Sequence, residues 1–277
     1  MNMDIRQLTP AIGAHVSGID LNLTPDAAML AVLQDALLEH QVLFFRQQYI
    51  KPEAQRDFAA ALGELHIHPV FPSHKNVREL IVLDSHLLDL KDNELWHTDV
   101  TFLEKPAMGC VLSAVQVPPF GGDTLWASLT RAYDDLSPPL QEFLSGLTAE
   151  HDISLSFPDS RFAQTGEAKA ALEKARRDFP PRRHPLVRTH PVTGKKGLFV
   201  TAGFTSRICE LSPEESDTLL TFLFKHSTQP KYFVRWHWQD GDVAVWDNRC
   251  TQHLASFDYG DFHRIMHRAT VMGDKPV

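Results

Sequence analysis

The stretch Trp96-His97-Thr98-Asp99-Val100-Thr101-Phe102 decides the fold prediction, because it places an imidazole and a carboxylate two residues apart among β-branched and aromatic residues. These residue types favour a β-strand, on which alternate side chains share one face. His97 and Asp99 are therefore expected to point in the same direction. With His253 as a third ligand, they would complete the two-histidine, one-carboxylate triad that leaves half of an octahedral metal open, as non-haem Fe(II) oxygenases require.

The histidine pattern alone is weak evidence, since the chain has 15 histidines and a buried, hydrogen-bonded His-Asp pair is the structural alternative. His66 and His68 form a competing pair that would also share a strand face. No carboxylate follows that pair at the two-residue spacing of Asp99 after His97. We therefore interpret His66 and His68 as substrate-contacting or structural residues.

Two arginines strengthen the prediction of a ligand site. Arg264 and Arg268 lie on either side of Met266 in alternate positions, so both guanidinium groups should face the same side of one strand. An uncompensated buried charge costs on the order of 3–5 kcal/mol, and two like charges in a barrel therefore need anions. The pair predicts two acidic ligands.

The hydrophobic pattern elsewhere is typical of many short strands, with the helices early in the chain or inserted. Helices are predicted at 27–40 with Thr24 as N-cap, from residue 51 onward, over 129–147 with a break at Pro138-Pro139, and over 212–226. Asp240-Gly241 is expected to form a β-hairpin turn. This order predicts a mainly β jelly-roll barrel with peripheral helices. The strands are predicted at 42–45, 80–83, 96–102, 109–117, 198–201, 233–238, 243–246 and 264–271.

The length of 277 residues fits a single catalytic domain spanning residues 1–277. The segment 161–183 is charged and poor in apolar residues, so a lid or insertion at 155–183 is one interpretation and a surface helix without function is the other.

The composition excludes some classes of protein. A net charge of −8, with acidic and basic residues interspersed, argues against nucleic acid as a partner. Three separated cysteines suggest neither a disulfide framework nor a zinc knuckle, which fits a reducing cytosol. No apolar run approaches the roughly 20 residues of a membrane span. We expect a soluble cytoplasmic protein.

The motifs together resemble the taurine/α-ketoglutarate (TauD/TfdA) dioxygenase family, and the resemblance covers nearly the whole chain. Its most specific part is the His-x-Asp motif and distal histidine combined with residues 264–270. The segments that carry it are Ile67-His68-Pro69-Val70, Trp96 to Phe102, Gly121-Gly122-Asp123-Thr124-Leu125-Trp126, His184 to Pro191, Leu198-Phe199-Val200, and Arg264-Ile265-Met266-His267-Arg268-Ala269-Thr270.

The resemblance implies a double-stranded β-helix, with His97, Asp99 and His253 as Fe(II) ligands and 2-oxoglutarate and O2 as cosubstrates. It implies that Arg264 and Thr124 bind the distal carboxylate of 2-oxoglutarate. The planar guanidinium of an arginine suits a carboxylate better than the ammonium of a lysine does. The residues that it implies for the sulfonate substrate are Arg268, His68, Ser156, Asn93, Val100, Phe157 and Phe204.

The implied activity is oxygenolytic desulfonation of taurine to aminoacetaldehyde and sulfite, with succinate and CO2 as co-products. Phe71 departs from the family pattern, because a tyrosine there would help to bind the substrate amine. The missing hydrogen bond is worth roughly 1.5–3 kcal/mol, so we expect weaker selection for the ammonium group and broader use of alkanesulfonates. Comparable kcat/KM ratios of taurine to butanesulfonate in wild type and Phe71→Tyr would contradict this.

Other readings of the sequence remain open. A related dioxygenase acting on alkyl sulfate esters or aryloxy acids would keep the same iron and 2-oxoglutarate sites. A non-catalytic barrel that binds a metal or anion is a remote alternative, and a zinc hydrolase would leave Arg264 and Thr124 without a role. The family suggests a homodimer or homotetramer, with no nucleic acid or membrane as partner.

Overall fold

The computed structural model describes residues 3–67, 72–88 and 94–277. The helices of these residues are α1 (Ala27–His40), α2 (Pro52–Leu62), α3 (Leu129–Asp134), α4 (Pro138–Ser145), α5 (Asp159–Phe162), α6 (Gly166–Asp178) and α7 (Pro213–Ser227). Short 3-10 helices span Ile153–Leu155 and Pro230–Tyr232. None of the described helices is both long and apolar enough to cross a membrane.

The strands of the described residues are β1 (Asp4–Gln7), β2 (Ala14–Ser17), β3 (Val42–Phe45), β4 (Leu65–His66), β5 (Leu80–Asp84), β6 (Gly109–Gln116), β7 (Thr124–Ser128), β8 (Thr148–His151), β9 (Arg182–Pro185), β10 (Val187–Thr189), β11 (Lys196–Leu198), β12 (Thr205–Ile208), β13 (Phe233–Trp236), β14 (Val243–Asp247), β15 (Thr251–Ala255) and β16 (Ile265–Val271).

Two sheets face each other as the predicted jelly-roll. The larger, eight-stranded sheet has the order β1-β2-β3-β14-β6-β16-β4, with β5 paired to β16, and the smaller has the order β13-β7-β15. Separate sheets, β12-β8-β9 and β10-β11, lie outside this pair. The prediction of a mainly β jelly-roll with peripheral helices is confirmed.

The strand β3 shows why the larger sheet is central. All four of its residues are buried, and they alternate between two layers. Leu43 and Phe45 pack in the cluster that α1 and α2 contribute to, whereas Val42 and Phe44 pack with Trp126 of the smaller sheet. A strand covered on both faces must be apolar throughout, as the run 42–45 is.

Two predictions about a helix cap and a turn were wrong. The N-cap of α1 is Asp26, not Thr24, because the Asp26 carboxylate accepts a hydrogen bond of 2.8 Å from the amide of Met29. Asp240-Gly241 does not close a hairpin, since β13 pairs with β7 whereas β14 pairs with β3 and β6. The chain turns there from one sheet to the other, and Gly241 supplies the positive φ of 83°.

The helix predicted over 129–147 is interrupted as expected, with α3 before Pro138 and α4 from Pro138 onward. The helix α7 begins with a capping box between Ser212 and Glu215. The strand predicted at 198–201 instead ends at Leu198. Within 155–183 the structure has α5 and α6, and a lid role for that segment stays a prediction.

Candidate active site

The backbones of two predicted ligands, His97 and His253, bind each other directly. The His97 amide donates to the His253 carbonyl at 2.9 Å, and the His253 amide donates back to the His97 carbonyl at 2.7 Å. His253 lies in β15 opposite Trp126 of β7, so the smaller sheet fixes its position. The two imidazole rings consequently lie side by side, with centroids 4.2 Å apart.

Asp99 reaches these histidines by a different route from the predicted one. The strand expected over 96–102 does not form: His97 makes an isolated bridge, and the chain turns from Asp99 onward. Val100 has a φ of 51°, a conformation that is a genuine outlier for a β-branched residue. The turn still brings the carboxylate to the imidazoles, and ligand atoms of His97, Asp99 and His253 all lie within 4.8 Å of one another.

The carboxylate of Asp99 is buried among positive and polar groups. Its Oδ1 accepts from Arg268 Nη1 at 3.0 Å, and its Oδ2 accepts from the Cys110 thiol at 3.3 Å. Burial favours the neutral acid, but the positive charge of Arg268 outweighs it and holds the pKa of Asp99 well below its usual range. The carboxylate is therefore ionised.

These three side chains fit a divalent metal. His97 Nδ1 lies 2.7 Å from the Leu95 carbonyl, which assigns the proton to Nδ1 and leaves the Nε2 lone pair available. Burial and the neighbouring His97 lower the pKa of His253 to about 3, so the His253 imidazole is neutral. The Nε2 atoms of His97 and His253 lie 3.8 and 3.9 Å from Asp99 oxygens, beyond hydrogen-bond range.

A second polar group lies where β16 begins. The Arg264 side chain is 95% buried, and within the described part of the chain it forms no ion pair. It rests against Gly122, where an added Cβ would lie 3.5 Å from Arg264 Cδ and 3.2 Å from the Tyr259 ring. Burial lowers the pKa of Arg264, and its interactions with Tyr259 and Asp123 oppose this. An uncompensated buried guanidinium fits a carboxylate ligand.

Thr124 follows two residues after Gly122, against which Arg264 rests, and it shares its strand face with Trp126, which pairs with His253. Its hydroxyl oxygen accepts from Trp238 Nε1 at 2.9 Å. The hydroxyl proton remains to donate to a ligand, as the assignment of Thr124 requires.

Arg268 differs from the expectation that both arginines need outside anions. Its partner includes the protein's own Asp99, so one positive charge is already compensated. The expectation arose from the alternation of residues along one strand. That pattern does not show that the distant turn at Asp99 supplies a carboxylate to Arg268.

A cluster of buried and partly buried apolar side chains lies next to His97, and we name it the apolar wall. Phe204 meets the His97 ring edge-on, with centroids 6.4 Å apart. Three predicted residues, Val100, Phe157 and Phe204, belong to the wall. Its members are Phe102, Ile153 and Phe204, with Val100, Leu103, Phe157 and Phe179 packed against them.

Ser156 lies near the histidines through Gly203. The Ser156 hydroxyl donates to the Gly203 carbonyl at 2.6 Å, and a Cβ on Gly203 would lie 2.9 Å from His97 Cβ. Only glycine fits there without displacing His97.

The other predicted substrate residues, His68, Phe71 and Asn93, lie outside the described residues.

Three buried residues at the site were missed in the sequence. Cys110 binds Asp99, Tyr259 lies beside Arg264, and Asn248 binds the backbone of Asp99. Asn248 follows the largely apolar strand β14, but nothing in the spacing of these three residues indicates their long-range contacts. His190, Asp247 and Cys250 form a further cluster of possible metal ligands. Its carboxylate already has protein partners, because Arg249 and His190 bind Asp247.

Comparison with known proteins agrees with this geometry. The family model described as "Taurine catabolism dioxygenase TauD, TfdA family" matches residues 4–270. An alkylsulfatase from Acinetobacter baylyi is 39% identical, over 98% of this chain and 86% of its own length. An alpha-ketoglutarate-dependent sulfate ester dioxygenase from Pseudomonas putida is 37% identical, over 100% of this chain and 92% of its own.

A solved taurine dioxygenase from Burkholderia xenovorans superposes with a TM-score of 0.86 at 37% identity, covering 99% of this chain and 91% of that one. The barrel and the His-Asp-His cluster define a dioxygenase that depends on Fe(II) and 2-oxoglutarate. The chain belongs to the TauD/TfdA family.

Proposed function

We propose that the chain uses Fe(II), 2-oxoglutarate and O2 to cleave small alkyl sulfate esters, with alkanesulfonates, including taurine, as the second candidate class. The reaction would hydroxylate the carbon that bears the sulfur group. The product would collapse to an aldehyde with loss of sulfate from an ester, or of sulfite from a sulfonate. One molecule of 2-oxoglutarate would become succinate and CO2 in each turnover.

The apolar wall is the observation that carries the choice of substrate. Phe204 lies against the His97 ring, and six further apolar side chains pack around it. An alkyl chain gains roughly 25 cal/mol for each Å² that such a wall removes from water. The ammonium group of taurine would lose hydration there without gaining a carboxylate from the wall. An unsubstituted alkyl chain is therefore the better match.

The protein's own residues would supply ligands, orientation and anion binding. We assign His97, Asp99 and His253 to Fe(II), because two imidazoles and an ionised carboxylate whose ligand atoms lie within 4.8 Å of one another form a two-histidine, one-carboxylate site. When bound, the iron supplies the oxidising chemistry through 2-oxoglutarate and O2. We assign Arg264 and Thr124, joined by the hydroxyl of Tyr259, to the distal carboxylate of 2-oxoglutarate.

We assign Arg268 to the sulfur oxyanion. A guanidinium presents several N–H groups in a planar fork and can contact two anions at once, here Asp99 and the substrate. This bridge would place the sulfur group next to the metal ligands, and the attached carbon with it. The alkyl remainder would then extend along the apolar wall.

Product analysis tests the proposal. Purified protein with Fe(II), 2-oxoglutarate and O2 is given hexyl sulfate, butanesulfonate or taurine, and succinate, sulfate, sulfite and aldehyde are measured. We expect sulfate to match succinate with hexyl sulfate, and both to disappear when any component is omitted or when Asp99 is replaced by alanine.

The other outcomes are equally informative. Sulfite from taurine at a higher kcat/KM than sulfate from hexyl sulfate would contradict the argument from the apolar wall and favour taurine as the substrate. Succinate without sulfate or sulfite from any of the three would refute the assignment to sulfur oxyanions. Absence of O2-dependent succinate with all three would count against the reaction itself.

A further inference from the structure

Asn248 is a fully buried residue between β14 and β15 whose side chain binds the backbone of Asp99 twice. Its Oδ1 accepts from the Asp99 amide at 2.9 Å, and its Nδ2 donates to the Asp99 carbonyl at 3.1 Å. Nδ2 also donates to the Ala107 carbonyl at 3.0 Å. The carboxamide thus satisfies both backbone groups of Asp99, as a neighbouring strand would.

This pairing matters because Asp99 lies in a turn and pairs with no strand among the described residues. His97 and His253 hold each other through two backbone hydrogen bonds. Asp99 stands at the start of a turn, followed by Val100 in the left-handed region. At Asp99, hydrogen bonds from the Asn248 side chain therefore take the place of the backbone hydrogen bonds that join the two histidines.

Asn248 is itself held firmly. Its amide donates to the Met108 carbonyl at 2.8 Å. The preceding Asp247 ends β14, and its carboxylate accepts from Arg249 Nη2 at 2.7 Å and lies 3.0 Å from His190 Nε2. The carboxamide is therefore presented from a rigid corner of the barrel.

We propose that Asn248 is a positioning residue that fixes the Asp99 arm of the metal site, an inference that rests on the proposed binding of Fe(II) by His97, Asp99 and His253. Removing the carboxamide leaves the two imidazoles paired but releases the carboxylate. The loss should therefore depend on how strongly a metal relies on oxygen ligands. Mn(II) favours carboxylate ligands, whereas Ni(II) is well served by imidazole.

The test compares the Kd of Mn(II) and of Ni(II) for wild type, Asn248→Ala and Asp99→Ala, by anaerobic titration calorimetry. Loss of a residue that orients a metal ligand typically lowers affinity about 10–100-fold. We expect that loss for Mn(II) in Asn248→Ala and a clearly smaller one for Ni(II). The same Mn(II)-selective pattern should be larger in Asp99→Ala.

Gln55→Ala is the matched control. Gln55 is also fully buried, and its side chain makes three hydrogen bonds, to the Val111 and His267 carbonyls and from the Ser113 hydroxyl. These contacts tie α2 to the outer face of the larger sheet, on the opposite side from the metal ligands. We expect Gln55→Ala to lose stability comparably, yet to keep the wild-type ratio of Mn(II) to Ni(II) affinity.

The outcomes separate the two proposals. If Asp99→Ala leaves Mn(II) binding unchanged, the assignment of the metal site fails. If Asp99→Ala weakens Mn(II) but Asn248→Ala does not, or weakens both metals equally, the role of Asn248 alone is refuted. Should Asn248→Ala fail to fold, Asn248→Ser, which leaves a smaller void and also lacks both backbone contacts, is subject to the same comparison.

Discussion

Replacing Arg264 by lysine keeps the positive charge near the start of β16 but removes the planar fork. The side chain is buried and forms no ion pair within the described residues, so a bound carboxylate would be its main compensation. Lysine can offer a point charge, but not two parallel N–H groups to both carboxylate oxygens. We therefore expect the variant to bind 2-oxoglutarate more weakly while metal binding is retained.

The size of the effect follows from one lost hydrogen bond to a charged group, about 1.5–3 kcal/mol. Since 1.4 kcal/mol is about tenfold, KM for 2-oxoglutarate should rise roughly 10- to 150-fold. KM for the sulfur substrate should change little, because Arg264 is assigned to the cosubstrate. Succinate formation at varied 2-oxoglutarate gives KM, and calorimetry without O2 gives the Kd.

Arg235→Lys is the control for the same substitution at a surface site. Arg235 is half exposed and pairs with Asp123 at 2.6 Å, next to the turn that leads into β7. Both kinetic constants should stay near their wild-type values. A larger rise in KM for the sulfur substrate than for 2-oxoglutarate in Arg264→Lys would mean that the roles of Arg264 and Arg268 have been exchanged.

Three further predictions concern the apolar wall, the cosubstrate pocket and pH. Phe204→Ala removes apolar contact worth about 1–2 kcal/mol, so KM for hexyl sulfate should rise roughly 5- to 30-fold, and an equal rise in KM for 2-oxoglutarate would contradict the wall's role. Tyr259→Phe removes one hydroxyl and should weaken anaerobic 2-oxoglutarate binding about tenfold; unchanged calorimetric affinity would exclude Tyr259 from the pocket. Burial and His184 lower the pKa of His151 to about 3. Between pH 6.5 and about 3, His151 therefore binds a proton in the unfolded chain but not in the folded chain. The stability that neutral His151 provides is complete above pH 6.5 and is lost as pH falls toward 3, by about 1.4 kcal/mol per pH unit. Urea unfolding between pH 6 and 4 should therefore show a shallower pH dependence in His151→Gln than in wild type, and identical slopes would refute this.

Local patterns in the sequence predicted much of the fold. The helix Ala27–His40 and the strand Val42–Phe45 have the predicted bounds, because helix-start signals and a short apolar run act within a few residues. The error at Asp240-Gly241 has a different origin. The turn chemistry was recognised, but which strand pairs with which depends on contacts across the barrel.

The candidate site was predicted only in part, because several of its contacts also join distant parts of the chain. His97, Asp99 and His253 do come together, yet not through the strand that the alternation suggested. The ion pair of Arg268 with Asp99 joins residues 169 positions apart, and the bond from Asn248 to Asp99 joins residues 149 apart. Local periodicity carries no information about such pairs.

The apolar wall has a consequence for how this barrel can change its substrate. Its residues stand on the turn after Asp99, on Ile153–Leu155 and its flanks, after α6, and just before β12, all outside the two facing sheets. His253 and Arg268, by contrast, stand on the ladders of those sheets. With the substrate-binding role proposed for the wall, recognition of the organic chain can be rebuilt in the connecting segments while the strands that hold His253 and Arg268 stay as they are. Grafting such segments between relatives is the natural route to altered substrate range.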